Sequence, residues 1–321
     1  MEGRGIGALV GQAVGDALGV RYEFLTRKKA EIAVKCDKVD NFLPILGGGI
    51  LDIKRGQVTD TELSLIVAKN IFDLQKSKHI LAIKFIVWFN SGPLDVPDSV
   101  KKSFSNIPLT NGLTIYNEMK ENAMRKNLAS KSNSCLAKLA PIAIFNSYNN
   151  NYTNAEIAEF VRDICKLTNP NPELIDACVV YVMSIKNAIK GYSRYKIWEI
   201  AKRTAQTKCV KDLLADAKDR KDISVDNSTQ GYFGHSIIIA FRELLYGESF
   251  EESLTHIMEL GGDTNTNGCI TGSLLGSFYG YTSIPREWRE TVIGYRSPRE
   301  LKMKELTTRD LVKTALKLFY H

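Results

Sequence analysis

The chain has 321 residues, 44% of them hydrophobic and 25% charged, with a net charge of +7. That balance belongs to a soluble globular protein of one large domain or two ordinary ones. No apolar run is long enough to span a bilayer, and the opening Met1-Glu2-Gly3-Arg4-Gly5 lacks the layout of a signal peptide, so a cytoplasmic protein without membrane contact is expected.

In chain order, the first helical stretch carries Gly3, Gly7, Gly11, Gly15 and Gly19 at four-residue spacing, holds Asp16 and runs on to Glu23. Ile32–Val39 and Phe42–Ile53 are the nearest candidates for strands, both short and the second glycine-interrupted. Gly47-Gly48-Gly49 and Gly56 form a mobile stretch ahead of Val58-Thr59-Asp60-Thr61. Leu63, Ile66, Val67 and Ile71 share one face of a helix over Thr61–Asp73. The same periodicity predicts helices over Ala155–Lys166, Pro172–Ile189, His235–Tyr246, Phe250–Leu260 and Thr308–Phe319, with Ser91-Gly92-Pro93 and Asn169-Pro170-Asn171-Pro172 as breaks. After Gly261-Gly262-Asp263-Thr264-Asn265-Thr266-Asn267 a second glycine row follows, Gly268, Gly272, Gly276 and Gly280. The expectation is an all-α fold in one compact domain spanning residues 1–321.

Residues four apart on a helix form a ridge, and a ridge of glycine lets another backbone come unusually close. Each such glycine costs about 1 kcal/mol of helix stability relative to alanine, so two rows of them need a compensating contact. If the two rows pack together, Asp16 and the Asp263 turn meet although they lie at opposite ends of the chain. Oxygen ligands gathered in that way suit a hard divalent cation such as Mg²⁺. Each segment alone has a plainer reading: Thr59-Asp60-Thr61-Glu62 as a capping box with Thr59 at the N-cap and Glu62 at N3, and Asp263, Thr264 or Asn265 as a cap of the helix that follows.

Cys36, Cys135, Cys165, Cys178, Cys209 and Cys269 are scattered, with no Cys-x-x-Cys and no nearby histidine pair, which argues against zinc and against a disulfide framework; they read as small buried apolar residues. Basic residues gather in Lys120–Lys138 and Lys186–Lys221. They read as solvated helix faces; no nucleic-acid reader motif or interleaved aromatic pattern accompanies them, and no nucleic-acid partner is expected.

Gly15-Asp16-Ala17-Leu18-Gly19 with Glu23, Thr59-Asp60-Thr61 and Gly261-Gly262-Asp263-Thr264-Asn265-Thr266 resemble the ADP-ribosylglycohydrolase family. That family includes dinitrogenase-reductase-activating glycohydrolases, ADP-ribosylarginine and ADP-ribosylserine hydrolases and certain jellyfish lens crystallins. Weaker likenesses follow in order: Ser132 to Lys138 with Pro141, Thr168-Asn169-Pro170, and Ile284-Pro285 with Trp288. The resemblance implies an all-α fold, a two-metal site for Mg²⁺ or Mn²⁺, and ADP-ribose or an ADP-ribosylated protein as partner. It implies Glu23 as the acidic residue near the scissile bond and Asp16 as the aspartate supporting the metals, both catalytic. Thr59, Asp60, Asp263, Asn265 and Thr266 would be the metal residues, and Ser132, Asn133, Ser134 and Gly262 would bind substrate.

The metal motifs depart from the family pattern. One carboxylate is missing around Thr59-Asp60, and Asn265 stands where the second motif has its second aspartate. Two divalent ions about 4 Å apart repel by roughly 4 kcal/mol even at water-like permittivity, so losing two anionic ligands favours one ion over two. Lys138 in place of an arginine and Asn169 in place of a histidine point the same way. A hydrolase with an altered site is therefore expected, and the alternative is a silent relative that binds ADP-ribose or a protein partner, or a crystallin-like structural protein.

Overall fold

A computed structural model of the chain describes residues 1–72, 74–148, 152–226 and 228–321. It contains sixteen α-helices and four short 3-10 helices, and no strand among the described residues. No helix among them is long and apolar enough to cross a membrane. The predicted helices appear as Thr61–Asn70, Asn154–Cys165, Pro172–Ile189, Phe233–Tyr246, Phe250–Leu260 and Leu311–Tyr320. The Asp73 end of the first prediction lies outside the described residues. The two strand candidates do not form. Residues 32–37 belong to the helix Arg27–Asp37, and only single bridges, Val39 with Phe42 and Gly48 with Ile53, survive from the rest. Each bridge closes on itself across a few residues, so no neighbouring strand exists to extend it.

The N-terminal helix Glu2–Gly19 runs through the centre, with every residue from Gly5 to Gly19 buried. A helix apolar on all faces has no solvent side. One face meets the helix Thr264–Tyr279, itself buried from Thr264 to Ser277. The other faces meet Pro172–Ile189, Ala140–Phe145 and Leu311–Tyr320.

The glycine rows pack backbone to backbone and antiparallel. A Cβ added to Gly7 would lie 2.2 Å from the carbonyl oxygen of Gly276, one on Gly11 2.3 Å from that of Gly272, and one on Gly15 1.9 Å from that of Gly268. The reverse contacts are as close, 2.4 Å for Gly268 against Gly15 and 2.0 Å for Gly276 against Gly7. Gly19 completes the register against Asn265. The pairing is shorter than its sequence pattern at a single end, that of Gly3 and Gly280. Gly3 faces nothing within 4 Å, and Gly280 has φ +93° and terminates its helix.

Candidate active site

The close pairing brings the C-terminal end of the first glycine helix against the N-terminal turn of the second. Thr264 Oγ1 donates to the Gly19 carbonyl at 2.7 Å. Beyond Gly19 the chain turns, and Phe24 N–H donates to the Gly262 carbonyl at 2.7 Å while Gly262 N–H donates to the Leu25 carbonyl at 2.9 Å. Gly261 and Gly262 both have φ +69°, and a Cβ on Gly262 would meet the Val225 carbonyl oxygen at 2.0 Å, so this turn demands glycine twice. Phe24 itself has φ 60°, a conformation that non-glycine residues adopt mostly where surrounding bonds hold them. The strap fixes Glu23 beside Asp263.

Asp16 lies beneath the site, fully buried. Its carboxylate accepts from Thr61 N–H and Thr61 Oγ1, both at 2.7 Å, and from Thr59 N–H at 3.1 Å and Thr59 Oγ1 at 3.2 Å. Asp16 therefore shapes the Thr59-Asp60-Thr61 corner instead of reaching the cavity. Asp60, at the start of the next helix, accepts from Thr266 Oγ1 at 2.8 Å. Asn133 Nδ2 donates to Asp263 Oδ2 at 2.7 Å and to Ser236 Oγ at 3.2 Å.

These residues surround a cavity of about 380 Å³ lined by Glu23, Asp60, Asp263, Thr266, Ser132, Asn133 and Ser134, together with Asp95, Asp98 and Gly231. Phe24, Ile50, Leu51 and Pro97 add its apolar wall. Five carboxyl groups and no basic side chain line it. Burial, then the charges of Asp263, Asp95 and Asp16, push the Glu23 carboxyl up to about 8. Burial pushes Asp16 up to about 7 against the opposing hydrogen bonds from Thr61 and Thr59. Asp60 is held well above the usual carboxylate range by burial and by Asp16, Asp95 and Asp263; Asp263 and Asp95 are raised by burial too. A larger apolar groove of about 1000 Å³, lined by Met124, Leu128, Ile175, Val179 and Met183 among others, gathers no comparable set of converging acids.

Of the residues singled out in the sequence, Glu23, Asp60, Asp263, Thr266, Ser132, Asn133 and Ser134 come together at the cavity. Thr59 and Asp16 stand behind it. Asn265 is buried with its Oδ1 lacking a hydrogen-bond partner, beside Gly19 and outside the cavity lining. Gly262 serves the turn, because both its main-chain groups are occupied by Phe24 and Leu25. The capping-box reading fails: Asp60 holds the N-cap position without a side-chain cap bond, Thr59 turns to Asp16, and Glu62 pairs with Arg299 at 2.5 Å and accepts from Trp88 Nε1 at 2.6 Å. A carboxylate facing a guanidinium and an indole N–H gains more than one facing a single backbone N–H. Lys138 is buried and donates to Thr168 Oγ1 at 2.7 Å.

Sequence reasoning missed Asp95. It stands in the irregular connection 91–97, which is anchored because Arg299, paired with Glu62, also donates to Ser91 Oγ at 2.6 Å. Its signal was faint: two acids around Val96-Pro97, a pattern that reads as an ordinary turn.

The donor set suits a hard cation. Asp60, Asp263 and Thr266 offer oxygen at the cavity, and no basic side chain in the lining competes with a cation for them. No three carboxylates among the described residues bring oxygens within 4.8 Å of one another.

The chain is thus an all-α protein whose paired glycine helices carry an acidic cleft at their junction. The chain belongs to the ADP-ribosylglycohydrolase family, whose model matches residues 1–316. It is 29% identical to the "Putative ADP-ribosyl glycohydrolase" of Acanthamoeba polyphaga mimivirus, over 91% of this chain and 92% of that protein. It is 25% identical to the ADP-ribosyl-[dinitrogen reductase] glycohydrolase of Rhodospirillum rubrum, over 89% and 88%. A solved ADP-ribosylglycohydrolase-related protein complex shares the fold, with a TM-score of 0.71 and 21% identity over 99% of this chain and 97% of that one.

Proposed function

We propose that the protein hydrolyses ADP-ribosyl linkages, releasing ADP-ribose from a modified side chain or a related ADP-ribosyl compound, with one divalent cation, Mg²⁺ or Mn²⁺. The observation that carries this reading is the convergence of Glu23, Asp60, Asp95 and Asp263 on one cavity without a basic side chain. Asp60, Asp263 and Thr266 would hold the ion, with Thr59 and Asn265 behind them. A cation held there would compensate the carboxylate charge and would supply orientation of ribose hydroxyls and polarisation of water.

Cleavage at ribose C1 develops positive charge on the sugar, which surrounding carboxylates stabilise. Glu23, whose carboxyl burial and the neighbouring acids push up to about 8 in the metal-free fold, is the group placed to donate a proton to a leaving group or exchange one with water. Asp95, opposite in the chain but on the same cavity, is the second acid able to orient the leaving group or water. Ser132 and Ser134, whose hydroxyls lie 3.1 Å apart, offer donors to the phosphate-bearing part of the ligand. Phe24, Ile50 and Leu51 give the cavity an apolar wall for the ligand.

Asn265 favours a second reading. Its neutral amide weakens the anionic ligand set, which suits a silent relative that binds ADP-ribose or a partner without turnover. Chromatographic assay of ADP-ribose released from ADP-ribosylated arginine and serine peptides, with Mg²⁺ or Mn²⁺, separates the two. Release that Glu23→Gln reduces at least about a hundredfold, in line with loss of a general acid or base, supports the hydrolase. Binding of ADP-ribose by calorimetry with no release at any metal concentration overturns it in favour of the silent binder.

A further inference from the structure

Three of the six cysteines converge at one buried point. Cys135 lies in the 3-10 helix Asn133–Lys138, Cys165 ends the helix Asn154–Cys165, and Cys178 is inside Pro172–Ile189. Their sulfurs all lie within 4.8 Å of one another, and all three residues are fully buried and free of disulfides. Lys138, only 1% exposed, stands at the same place. Its ammonium donates to Thr168 Oγ1 at 2.7 Å, and that hydroxyl lies 3.9 Å from Cys135 Sγ. Among the described residues no carboxylate pairs with Lys138. A buried ammonium without an anion is costly, and the groups around it that can become anionic are thiols.

Three cysteines acting only as small apolar residues would have no reason to face one another around a cation. We propose that Cys135, Cys165 and Cys178 form a structural site for a soft d¹⁰ divalent metal, zinc, with Lys138 balancing its charge and the Thr168 hydroxyl as neighbouring oxygen donor. Each thiol gives its proton to solvent as its sulfur replaces a water on the ion, so three protons leave for each ion bound. Three thiolates around one divalent ion leave a single negative charge, which the ammonium neutralises. Zinc–thiolate bonds of about 2.3 Å set coordinating sulfurs roughly 3.8 Å apart, a contraction of at most about 1 Å from the present spread. Hydrogen bonds from Cys165 and Cys178 and the nearby ammonium hold the Cys135 thiol well below the usual thiol range, while burial pushes the Cys165 and Cys178 thiols above it. Scattered positions in sequence conceal the cluster, since each ligand comes from a different element.

The site has a structural consequence for the cleft. Cys135 directly follows Asn133 and Ser134, which line the acidic cavity, and Asn133 holds Asp263. A metal beneath this 3-10 helix would fix it from the side opposite the substrate. Its ligands are sulfur, so it is chemically distinct from the oxygen-lined site above.

The test uses the full chain, expressed with zinc in the medium and freed of loosely bound ions by gel filtration. Elemental analysis is expected to give one zinc per chain, released on unfolding together with free thiols, and Cys178→Ser is expected to lose it. Because that variant can fail to fold, wild-type protein refolded with Co²⁺ gives a second readout. An intense thiolate-to-cobalt charge-transfer band that persists in Asp60→Asn supports the site, since oxygen ligands give no such band. Metal-free folded protein with no charge-transfer band overturns the proposal. So does a mass showing two of the three cysteines joined as a disulfide.

Discussion

Glu23 is a carboxyl that burial and three neighbouring acids keep protonated near neutrality. In the metal-free fold such a group holds a proton that the unfolded chain gives up near its ordinary value, so its ionisation destabilises the fold as pH rises. Glu23→Gln removes that ionisation. In the absence of divalent metal the variant is expected to be more stable than wild type above about pH 8, with the difference vanishing near pH 4, as urea titrations at the two pH values would show. Greater stability of wild type at the high pH would contradict the burial argument. Asn265→Asp tests the opposite substitution: it adds an anionic ligand where a neutral amide stands. Mg²⁺ affinity measured by calorimetry is expected to rise about tenfold, matching roughly 1.4 kcal/mol from one added charge. Unchanged affinity would place Asn265 outside the ion's reach.

Helices and their junctions explain which of these residues could be read in advance. The glycine rows were legible because a four-residue repeat has one geometric meaning on a helix, a bare ridge, and Gly7, Gly11 and Gly15 meet Gly276, Gly272 and Gly268 accordingly. Glu62 was not, because a glutamate three residues after a threonine looks the same whether it caps its own helix or is captured by Arg299 from far along the chain. Asp95 was hidden for a related reason: an irregular connection has no periodicity to fix where its side chains point. The rows also give a paired prediction. Gly15→Ala drives a methyl group to 1.9 Å from a backbone carbonyl that cannot swing away, and is expected to cost about 3 kcal/mol or more. Gly3→Ala meets open space on the same helix and is expected to gain a few tenths to about 1 kcal/mol from helix propensity. Denaturant midpoints of the two variants check both signs, and similar losses at both positions would show that propensity, not contact, dominates.

Across the whole molecule, the raised acids act together. Asp16, with its carboxyl near 7, Glu23 near 8, and Asp60, Asp95 and Asp263 all above their ordinary range each favour the protonated fold. Their contribution to metal-free stability is complete below about pH 4 and is lost as pH rises through about 7 and about 8. A bound divalent cation reverses the electrostatics by favouring the ionised form. Thermal melts are therefore expected to show Mg²⁺ stabilising the protein strongly near pH 8 and little near pH 5, by about 2.7 kcal/mol when the ion is at a hundred times its dissociation constant. Equal stabilisation at both pH values would detach the ion from these carboxylates.

The contact of Gly7, Gly11 and Gly15 with Gly276, Gly272 and Gly268 also dictates when, during biosynthesis, the protein can begin to work. The central helix is synthesised long before its counterpart, and its bare stripe stays unmatched until residues 264–279 follow it out. Contacts that span so much chain form late and at high entropic expense. A nascent polypeptide halted before residues 264–279 thus carries Glu23 and Asp60 without the Asp263–Thr266 wall that closes the acidic cavity.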